Sequence, residues 1–290
     1  MNHNMTLSVE RLAYCYLQAC ELDILAFKPG NVSQYADGHD MVAADFRRSA
    51  LASVPAVCNC RYSLGEKIYY AIEATRTAVG CNTNLGIVLL AVPLLHAALA
   101  WQPGQTLRQA LHRVLLQTTV DDADWAFRAI CLAAPAGLGQ VERHDVHASA
   151  KVTLRTAMDE SAIKDRIAYQ YLTDYQDIFD FALPTYYNSL NMWRSEIWAT
   201  VGVYIGLLSR FPYSHIIRKY GEGCATEITN IISMLHIKLQ EADYPEQILP
   251  MIYKIDRDMK ARHINPGTTA DLTVATLLVA FLEQEIQQAR

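Results

Sequence analysis

Residues 265–272, Asn-Pro-Gly-Thr-Thr-Ala-Asp-Leu, combine a tight turn, a helix start and the residue types that can hold an anion. Pro266 fixes φ and Gly267 allows a left-handed turn residue, while Thr268 and Asp271 have the spacing of a capping box. The exposed amides of such a helix start can bind a phosphate group. Taken alone, the pattern is more typical of a capped C-terminal helix, because helix caps are far commoner than phosphate sites.

A second polar segment, at residues 28–41, follows the first helical pattern. Residues 28–31, Lys-Pro-Gly-Asn, have the order of a type II turn, with proline second and glycine third. The loop then reaches Gly-His-Asp-Met at residues 38–41. It therefore offers a cation, backbone amides and a carboxylate, which a phosphate and its metal ion would need. A turn without a chemical role is the alternative interpretation.

Three further groups of polar residues could take part in chemistry. Residues 81–84, Cys-Asn-Thr-Asn, crowd hydrogen-bonding side chains between two helical patterns and could line a pocket. Residues 213–221 hold a histidine, an arginine and a lysine, which could bind triphosphate oxygens or simply form a basic helix end. Glu66 and Glu73 are seven positions apart and could reach one magnesium ion, although Glu66 also has the capping-box position after Ser63.

Composition and charge exclude several classes of protein. A chain of 290 residues that is 51% hydrophobic can bury a large core. Its net charge of -5 argues against general binding to nucleic acid or to anionic membranes. The seven cysteines lack disulfide or zinc-site spacing, and the apolar run at residues 85–101 is shorter than the roughly 20 residues of a bilayer span. We therefore predict a cytoplasmic protein without an export signal, with neither nucleic acid nor membrane as partner.

Apolar residues recur at helical spacing along most of the chain, and strand-like alternation is nearly absent. The pattern predicts an all-α fold, a single compact domain over residues 1–290 whose polar loops form a nucleotide pocket. Helices are predicted at residues 7–27, 63–80, 85–101, 169–181, 197–210, 226–241 and 270–288, with further starts at Thr106 and near Asp121. The helix near Asp121 should end at residues 135–139, and residues 140–158 are predicted to be a mobile loop or lid. Asp174, Asp177 and Asp180 would cluster on one side of the 169–181 helix.

In chain order, the segments at residues 28–31, 38–41, 80–86, 214–221 and 265–272 resemble the triphosphoribosyl-dephospho-CoA synthase family. The resemblance covers most of the chain. It implies an all-helical enzyme that joins the ribose triphosphate of ATP to the ribose 2′-hydroxyl of dephospho-CoA and releases adenine. Where the lyase-linked branch of the family has Asn-Thr-His-Lys-Gly, this chain has Asn-Thr-Asn-Leu-Gly at residues 82–86. The pattern is similar to the divergent branch of archaea and of bacteria that use tetrahydromethanopterin.

The resemblance implies roles for particular residues. Asp40, Glu66 and Asp271 would act as the general base or as ligands of an expected Mg²⁺, and His39 or His215 would act as the acid that protonates adenine. The residues expected to bind ATP, the donor substrate, are Lys28, Gly30, Asn31, Asn82, Thr83, Asn84, Arg218, Lys219, Asn265, Gly267, Thr268 and Thr269.

The acceptor implied by the resemblance is a coenzyme precursor, either dephospho-CoA or an intermediate of the tetrahydromethanopterin pathway. A homodimer is the prior expectation for a helical enzyme of this size. The alternative function is a non-catalytic nucleotide- or coenzyme-binding protein that assists assembly or regulation in one-carbon metabolism. The missing His-Lys pair after Asn82 and Thr83 favours this alternative.

Overall fold

The structure, a computed structural model, describes residues 7–37, 41–134, 146–211 and 222–288, and it is all-α in these ranges. The helices are α1 (Val9–Leu25), α2 (Ala43–Val57), α3 (Leu64–Val79), α4 (Leu85–Leu99), α5 (Leu107–Leu116), α6 (Val120–Ala133), α7 (Leu154–Ser161), α8 (Arg166–Leu172), α9 (Leu183–Trp193), α10 (Glu196–Arg210), α11 (Glu222–Glu241), α12 (Leu249–Ala261) and α13 (Gly267–Gln288). A π-helical turn spans Ile178–Ala182 and a 3₁₀ turn spans Pro245–Ile248. The predicted all-α fold is confirmed. Over these same ranges, every helix is too short or too polar to cross a membrane.

The contacts divide the chain into two compact units. Unit 1 contains Met1–Cys20, Asp45–Gln176 and Leu278–Arg290, and unit 2 contains Glu21–Ala44 and Asp177–Leu277. The division falls inside α1 and inside α13. A single domain over residues 1–290 stays a prediction.

In unit 1, α3 packs against α6, and α4 packs against α5. Nearly every side chain of α4 is buried, as predicted for the apolar run, although Pro93 lies inside the helix. A proline has no N–H, so the carbonyl four residues earlier, on Leu89, loses its helical donor. The hydroxyl of Tyr171 donates a hydrogen bond to this carbonyl at 2.6 Å. The buried tyrosine thereby satisfies the backbone group that the proline leaves unpaired.

Capping residues fix the starts of three helices in unit 1. Ser63 and Glu66 form the predicted capping box of α3, and Thr106 forms the same motif with Gln109 at α5. At α6, the carboxylate of Asp122 completes a box with Thr119. The acidic residues predicted near the start of this helix therefore lie in its first turn, where the helix dipole favours them. Gly80 ends α3 with φ 74°, in the left-handed conformation that glycine adopts without a steric cost.

In unit 2, α10 packs against α9 and α11. Its close approach to α9 depends on Gly202, where an added Cβ atom would lie 2.7 Å from Ser189 Oγ. The core beside these helices is built from large apolar side chains, namely Phe27, Tyr204, Ile205, Ile228, Ile232, Leu235, Ile252, Ile255 and Met259. These residues come from α10, α11, α12 and the segment after α1, so the core joins segments that are far apart in sequence.

Each unit holds two of the four tryptophans of the chain. In unit 1, Trp101 Nε1 donates to the carbonyl of Gln105 at 2.9 Å, and the guanidinium of Arg128 lies 4.1 Å from the Trp125 ring centroid. In unit 2, Trp198 Nε1 donates to the Glu246 carboxylate at 2.9 Å, while Trp193 Nε1 is buried and has no hydrogen bond to any residue that the structure describes. The four indole rings therefore differ in their hydrogen bonds and ring contacts.

The predicted helix at residues 169–181 is wrong as a single element. The chain leaves α8 after Leu172, and Asp174 and Tyr175 have φ values of 51° and 59°. Tertiary contacts hold this break, because the buried Tyr175 hydroxyl donates to the carbonyl of Leu90 at 3.0 Å and His112 Nδ1 lies 2.8 Å from Asp174 Oδ2. Asp174 therefore does not share one helix face with the two aspartates that follow it.

Several other elements of secondary structure differ from the prediction. The proposed lid at residues 140–158 ends in α7, which Thr153 caps, while residues 135–145 lie outside the described ranges. Helix α2 was not predicted, because Pro55 lies inside it. Helices α9 and α12 were not predicted either, although Pro184 and Pro250 lie in their first turns, where proline is favoured. The predicted helices at residues 197–210, 226–241 and 270–288 are confirmed, with starts one to four residues earlier.

Candidate functional site

In unit 2, the segment at residues 265–272 contains the start of α13 at Gly267, and the capping box of Thr268 and Asp271 stays a prediction. The amide of Gly267 donates to the carbonyl of Asn265 at 2.9 Å, and the amide of Ala270 donates to that of Pro266 at 3.2 Å. Thr268 therefore lies inside the first turn, and Gly267 is helical rather than left-handed. The physical reason is Pro266, whose fixed φ suits the centre of a three-residue turn and starts the helix earlier.

The turn at residues 28–31 has the predicted type II form. The amide of Asn31 donates to the carbonyl of Lys28 at 3.0 Å, and Gly30 has φ 79°. The Asn31 side chain donates from Nδ2 to Asn265 Oδ1 at 2.9 Å. The hydroxyl of Tyr204 donates to the carbonyl of Pro29 at 2.9 Å. The structure thus brings together two of the segments that the sequence singled out, and Tyr204 adds a contact that sequence reasoning missed.

Gly30 is in close contact with the end of α12 and the residues after it. A Cβ atom at this position would lie 2.9 Å from Met259 Cε and 3.1 Å from the carbonyl oxygen of Ile264. The amide of Gly30 donates to Asp256 Oδ1 at 2.9 Å. Asp256 was not predicted, because no local pattern links an aspartate on α12 to a turn so distant in sequence.

Lys28 is fully buried and forms an ion pair with Asp23, one turn back on α1. Burial raises the pKa of the Asp23 carboxyl, and the nearby ammonium opposes this increase. Asp23 was visible in the sequence as an acid on the apolar stripe of α1, and that position was the signal for a buried partner. Phosphate binding by Lys28 stays a prediction, since its ammonium already faces a carboxylate.

In unit 1, residues 82–84 lie directly before α4. Asn82 Oδ1 accepts a hydrogen bond from the amide of Leu85 at 3.1 Å, and the hydroxyl of Thr83 is hydrogen-bonded to that of Ser49. Asn84 is only 4% exposed, yet neither its Oδ1 nor its Nδ2 has a hydrogen-bond partner among the described residues. A buried carboxamide without partners costs free energy, so it needs an explanation such as a ligand. The segment is therefore the polar cluster that the sequence predicted.

The two glutamates of α3 have different surroundings. Glu66 Oε2 accepts a hydrogen bond from the amide of Ser63 at 2.8 Å, which is its capping role. Glu73 lines an open groove of about 460 Å³ between α2 and α3, together with Asn59, Tyr62 and Tyr70. Across the described part of the chain, no group of three histidine, cysteine, aspartate or glutamate residues is arranged to hold a metal ion. Magnesium binding by Asp40, Glu66 and Asp271 stays a prediction.

The remaining site residues are of two kinds. Asp271 and Thr268 lie half-buried in the first turns of α13, and Thr269 is buried there. The other five predicted residues lie outside the described residues, in the segments 38–40 and 212–221; they are His39, Asp40, His215, Arg218 and Lys219. Their proposed roles as acid, base and phosphate ligands stay predictions.

The chain was compared with known proteins at the level of sequence and structure. The family model for "CitG: ATP:dephospho-CoA triphosphoribosyl transferase" matches residues 9–290. A crystal structure from Archaeoglobus fulgidus, described as a "putative triphosphoribosyl-dephospho-coA synthase", shares the fold with a TM-score of 0.63. The match covers 81% of this chain and 97% of that chain at 21% sequence identity. A search of curated proteins finds no match.

The family match extends over nearly the whole chain, and the shared fold agrees with it. The enzyme class inferred from the sequence motifs is thereby confirmed. The chain belongs to the ATP:dephospho-CoA triphosphoribosyl transferase family.

Proposed function

We propose that this enzyme breaks the bond between ribose C1′ and the adenine base of ATP and transfers the triphosphoribosyl group to a hydroxyl of a coenzyme precursor. The observation that carries the proposal is the family match over residues 9–290. In the reaction, the acceptor oxygen bonds to C1′, its proton passes to a general base, and the departing adenine takes up a proton. The transition state has oxocarbenium character, as in other glycosyl transfers.

Two of the motif segments in unit 2 offer groups that can bind the triphosphate. The turn at residues 28–31 and the start of α13 are held together by the hydrogen bond between Asn31 and Asn265. Backbone amides at a helix start carry partial positive charge and can donate to phosphate oxygens. We assign triphosphate binding to the first turn of α13, with Asp271 of the same helix or Asp40 as general base and His39 or His215 as the acid.

The polar cluster of unit 1, residues 82–84, can bind a ligand that has both hydrogen-bond donors and hydrogen-bond acceptors. The Asn84 carboxamide can both donate and accept, and both of its polar atoms are buried without partners. A nucleobase or the amide-rich arm of a coenzyme offers matching groups. We assign Asn82, Thr83 and Asn84 to substrate binding, and dephospho-CoA is the first acceptor to test, because the matching family is described by that acceptor. An intermediate of the tetrahydromethanopterin pathway is the second.

The test is to incubate the pure protein with ATP, Mg²⁺ and either dephospho-CoA or a dihydropteridine-ribitol precursor. We expect free adenine by chromatography and one triphosphoribosyl or phosphoribosyl adduct by mass spectrometry, and only in the presence of the correct acceptor. Parallel reactions with EDTA test the expected Mg²⁺ requirement. Asp271→Asn should reduce adenine release by about a hundredfold or more if Asp271 is the base.

Absence of adenine with every acceptor would contradict the transferase proposal. If calorimetry then detected ATP binding, a non-catalytic nucleotide- or coenzyme-binding role would become the simpler account. Asn84 and Leu85, which stand where the lyase-linked branch has His-Lys, are the residues that favour this outcome. The cytoplasmic location and the homodimer stay predictions.

A further inference from the structure

The open groove between α2 and α3 in unit 1 has no role in the proposed reaction. Its volume of about 460 Å³ is typical of sites that bind small molecules. Small side chains line much of the groove and leave room for a ligand, namely Ala52, Ala56, Ala74 and Ala78. Because the groove is open to solvent, a ligand can reach it without a change in the fold.

Glu73 is the only charged residue among the described residues that line this groove. It is exposed, and its carboxylate accepts no hydrogen bond and forms no ion pair within the described part of the chain. Arg48 donates to the carbonyl of Ala78, a lining residue, at 2.8 Å, but its guanidinium also lies 3.8 Å from Asp45 on its own helix. The groove therefore carries a negative charge that no described residue neutralises by direct contact.

Two half-buried tyrosines also line the groove, Tyr62 and Tyr70, with their ring centroids 5.0 Å apart. Aromatic faces attract cations, and the neighbouring rings already hold one. The guanidinium of Arg128 lies 4.1 Å from the ring centroid of Trp125 and 4.8 Å from that of Tyr69. Tyr62 and Tyr70 have no such cation among the described residues. The groove thus combines free aromatic faces with a carboxylate that has no counterion.

We propose that the groove between α2 and α3 binds a small organic ammonium ion, whose charge lies against Glu73 and the rings of Tyr62 and Tyr70. A divalent metal ion would need several oxygen ligands, and the described ranges hold no group of three acidic, histidine or cysteine residues arranged for one. The carboxylate would repel the triphosphate of ATP, so the site goes beyond the proposed reaction. The sequence did not indicate the groove, because α2 was not predicted.

The test titrates choline, a quaternary ammonium ion, into the full-length protein and follows binding by ligand-observed NMR. We expect saturable binding below about 10 mM, and binding at least about fivefold weaker for the uncharged analogue in which carbon replaces the nitrogen. Glu73→Gln should weaken choline binding about fivefold, and Tyr62→Leu about threefold or more, while Tyr62→Phe keeps the ring and the affinity. Asp159→Asn is the matched control, because Asp159 is an exposed acid of unit 1 outside the groove.

Several outcomes would overturn this inference, and none of them depends on the adenine-release assay. Absence of saturable choline binding by the wild type would do so, as would equal binding of choline and its uncharged analogue. Unchanged affinity in Glu73→Gln, or equal weakening by Asp159→Asn, would exclude a specific role for the carboxylate. Tighter binding of adenine than of choline would show that the groove accepts a neutral planar ligand instead. Circular dichroism checks folding, and if Tyr62→Leu does not fold, the exposed Glu73→Gln decides the question.

Discussion

Lys28 in unit 2 and Lys67 in unit 1 are both buried, but their surroundings differ in kind. Lys28 pairs with the carboxylate of Asp23, whereas Lys67 Nζ lies 3.3 Å from His96 Nδ1, an imidazole nitrogen. Burial lowers the pKa of Lys67 to about 8, and burial together with the nearby lysine lowers the pKa of His96 to about 4. Lys28 therefore has a carboxylate counterion, whereas Lys67 has none among the described residues.

The same contrast holds for two asparagines of the motif segments. Asn31 in unit 2 donates to Asn265, whereas neither polar atom of the Asn84 side chain in unit 1 has a hydrogen-bond partner within the part of the chain that the structure describes. Buried polar groups that satisfy one another hold a structure together, and a buried group that is left unsatisfied needs an explanation, for which we propose a ligand. The comparison thus separates a motif residue that is hydrogen-bonded within the fold of unit 2 from one that we propose to bind substrate in unit 1.

The largest effect should come from breaking the pair in unit 2. Asp23→Asn leaves Lys28 buried without its counterion, and we expect the free energy of unfolding to fall by about 3–5 kcal/mol. Urea unfolding followed by circular dichroism measures this change. Asp37→Asn removes an exposed aspartate of the same unit and should change stability by less than about 0.5 kcal/mol. Similar losses in the two variants would show that the buried pair is not special.

Replacing Lys67, the buried lysine of unit 1, is expected to raise the free energy of unfolding and not to lower it. Lys67→Met removes a poorly compensated buried charge and keeps most of the side-chain volume, so it should stabilise the protein by about 1–3 kcal/mol at pH 7. The control is Lys151→Met, at an exposed lysine of unit 1, which should have little effect. Destabilisation by Lys67→Met would contradict the comparison, since the ammonium would then have effective partners.

The gain from Lys67→Met should depend on pH in a defined direction. The folded pKa of Lys67, about 8, lies below its ordinary value of 10.5, so below pH 8 the wild type bears the full cost of burying the charge. Between pH 8 and 10.5 the folded protein releases this proton and the unfolded chain retains it, so the wild type gains relative stability. The advantage of Lys67→Met should therefore shrink across this window in parallel urea titrations.

The smallest change in stability should come from Asn84. Asn84→Ala removes no hydrogen bond, so the free energy of unfolding should change by less than about 0.5 kcal/mol, whereas Asn31→Ala should cost about 1 kcal/mol. In the adenine-release assay, however, Asn84→Ala should raise KM for a substrate about tenfold or more. A stability loss as large as that of Asn31→Ala, with KM unchanged, would place Asn84 among the structural residues.

Local chemistry explains which parts of the fold could be predicted. The capping boxes at Ser63 and Thr106 and the glycine end at Gly80 depend on neighbouring residues alone, and each appears where the sequence predicts it. The break after α8 could not be predicted, because it depends on the distant carbonyl of Leu90, which accepts a hydrogen bond from Tyr175. Tertiary contacts there outweigh the helical pattern.

The candidate site likewise contains parts that could be predicted from the sequence and parts that could not. The type II turn at residues 28–31 follows from Pro29 and Gly30, whose conformational preferences are local. The partners of that turn, Asp256 and Tyr204, lie on helices far along the chain and carry no motif of their own. Sequence reasoning therefore found the segments of the site but not the residues that hold them.

The tryptophans are divided equally between the two units, so their fluorescence can report on the structure of each unit separately. Trp101 and Trp125 belong to unit 1, and Trp193 and Trp198 belong to unit 2. Replacing either pair with phenylalanine would leave tryptophan fluorescence from one unit alone. Denaturant titrations of the two variants, each followed by tryptophan emission, would then show whether the two units lose their structure together or in succession.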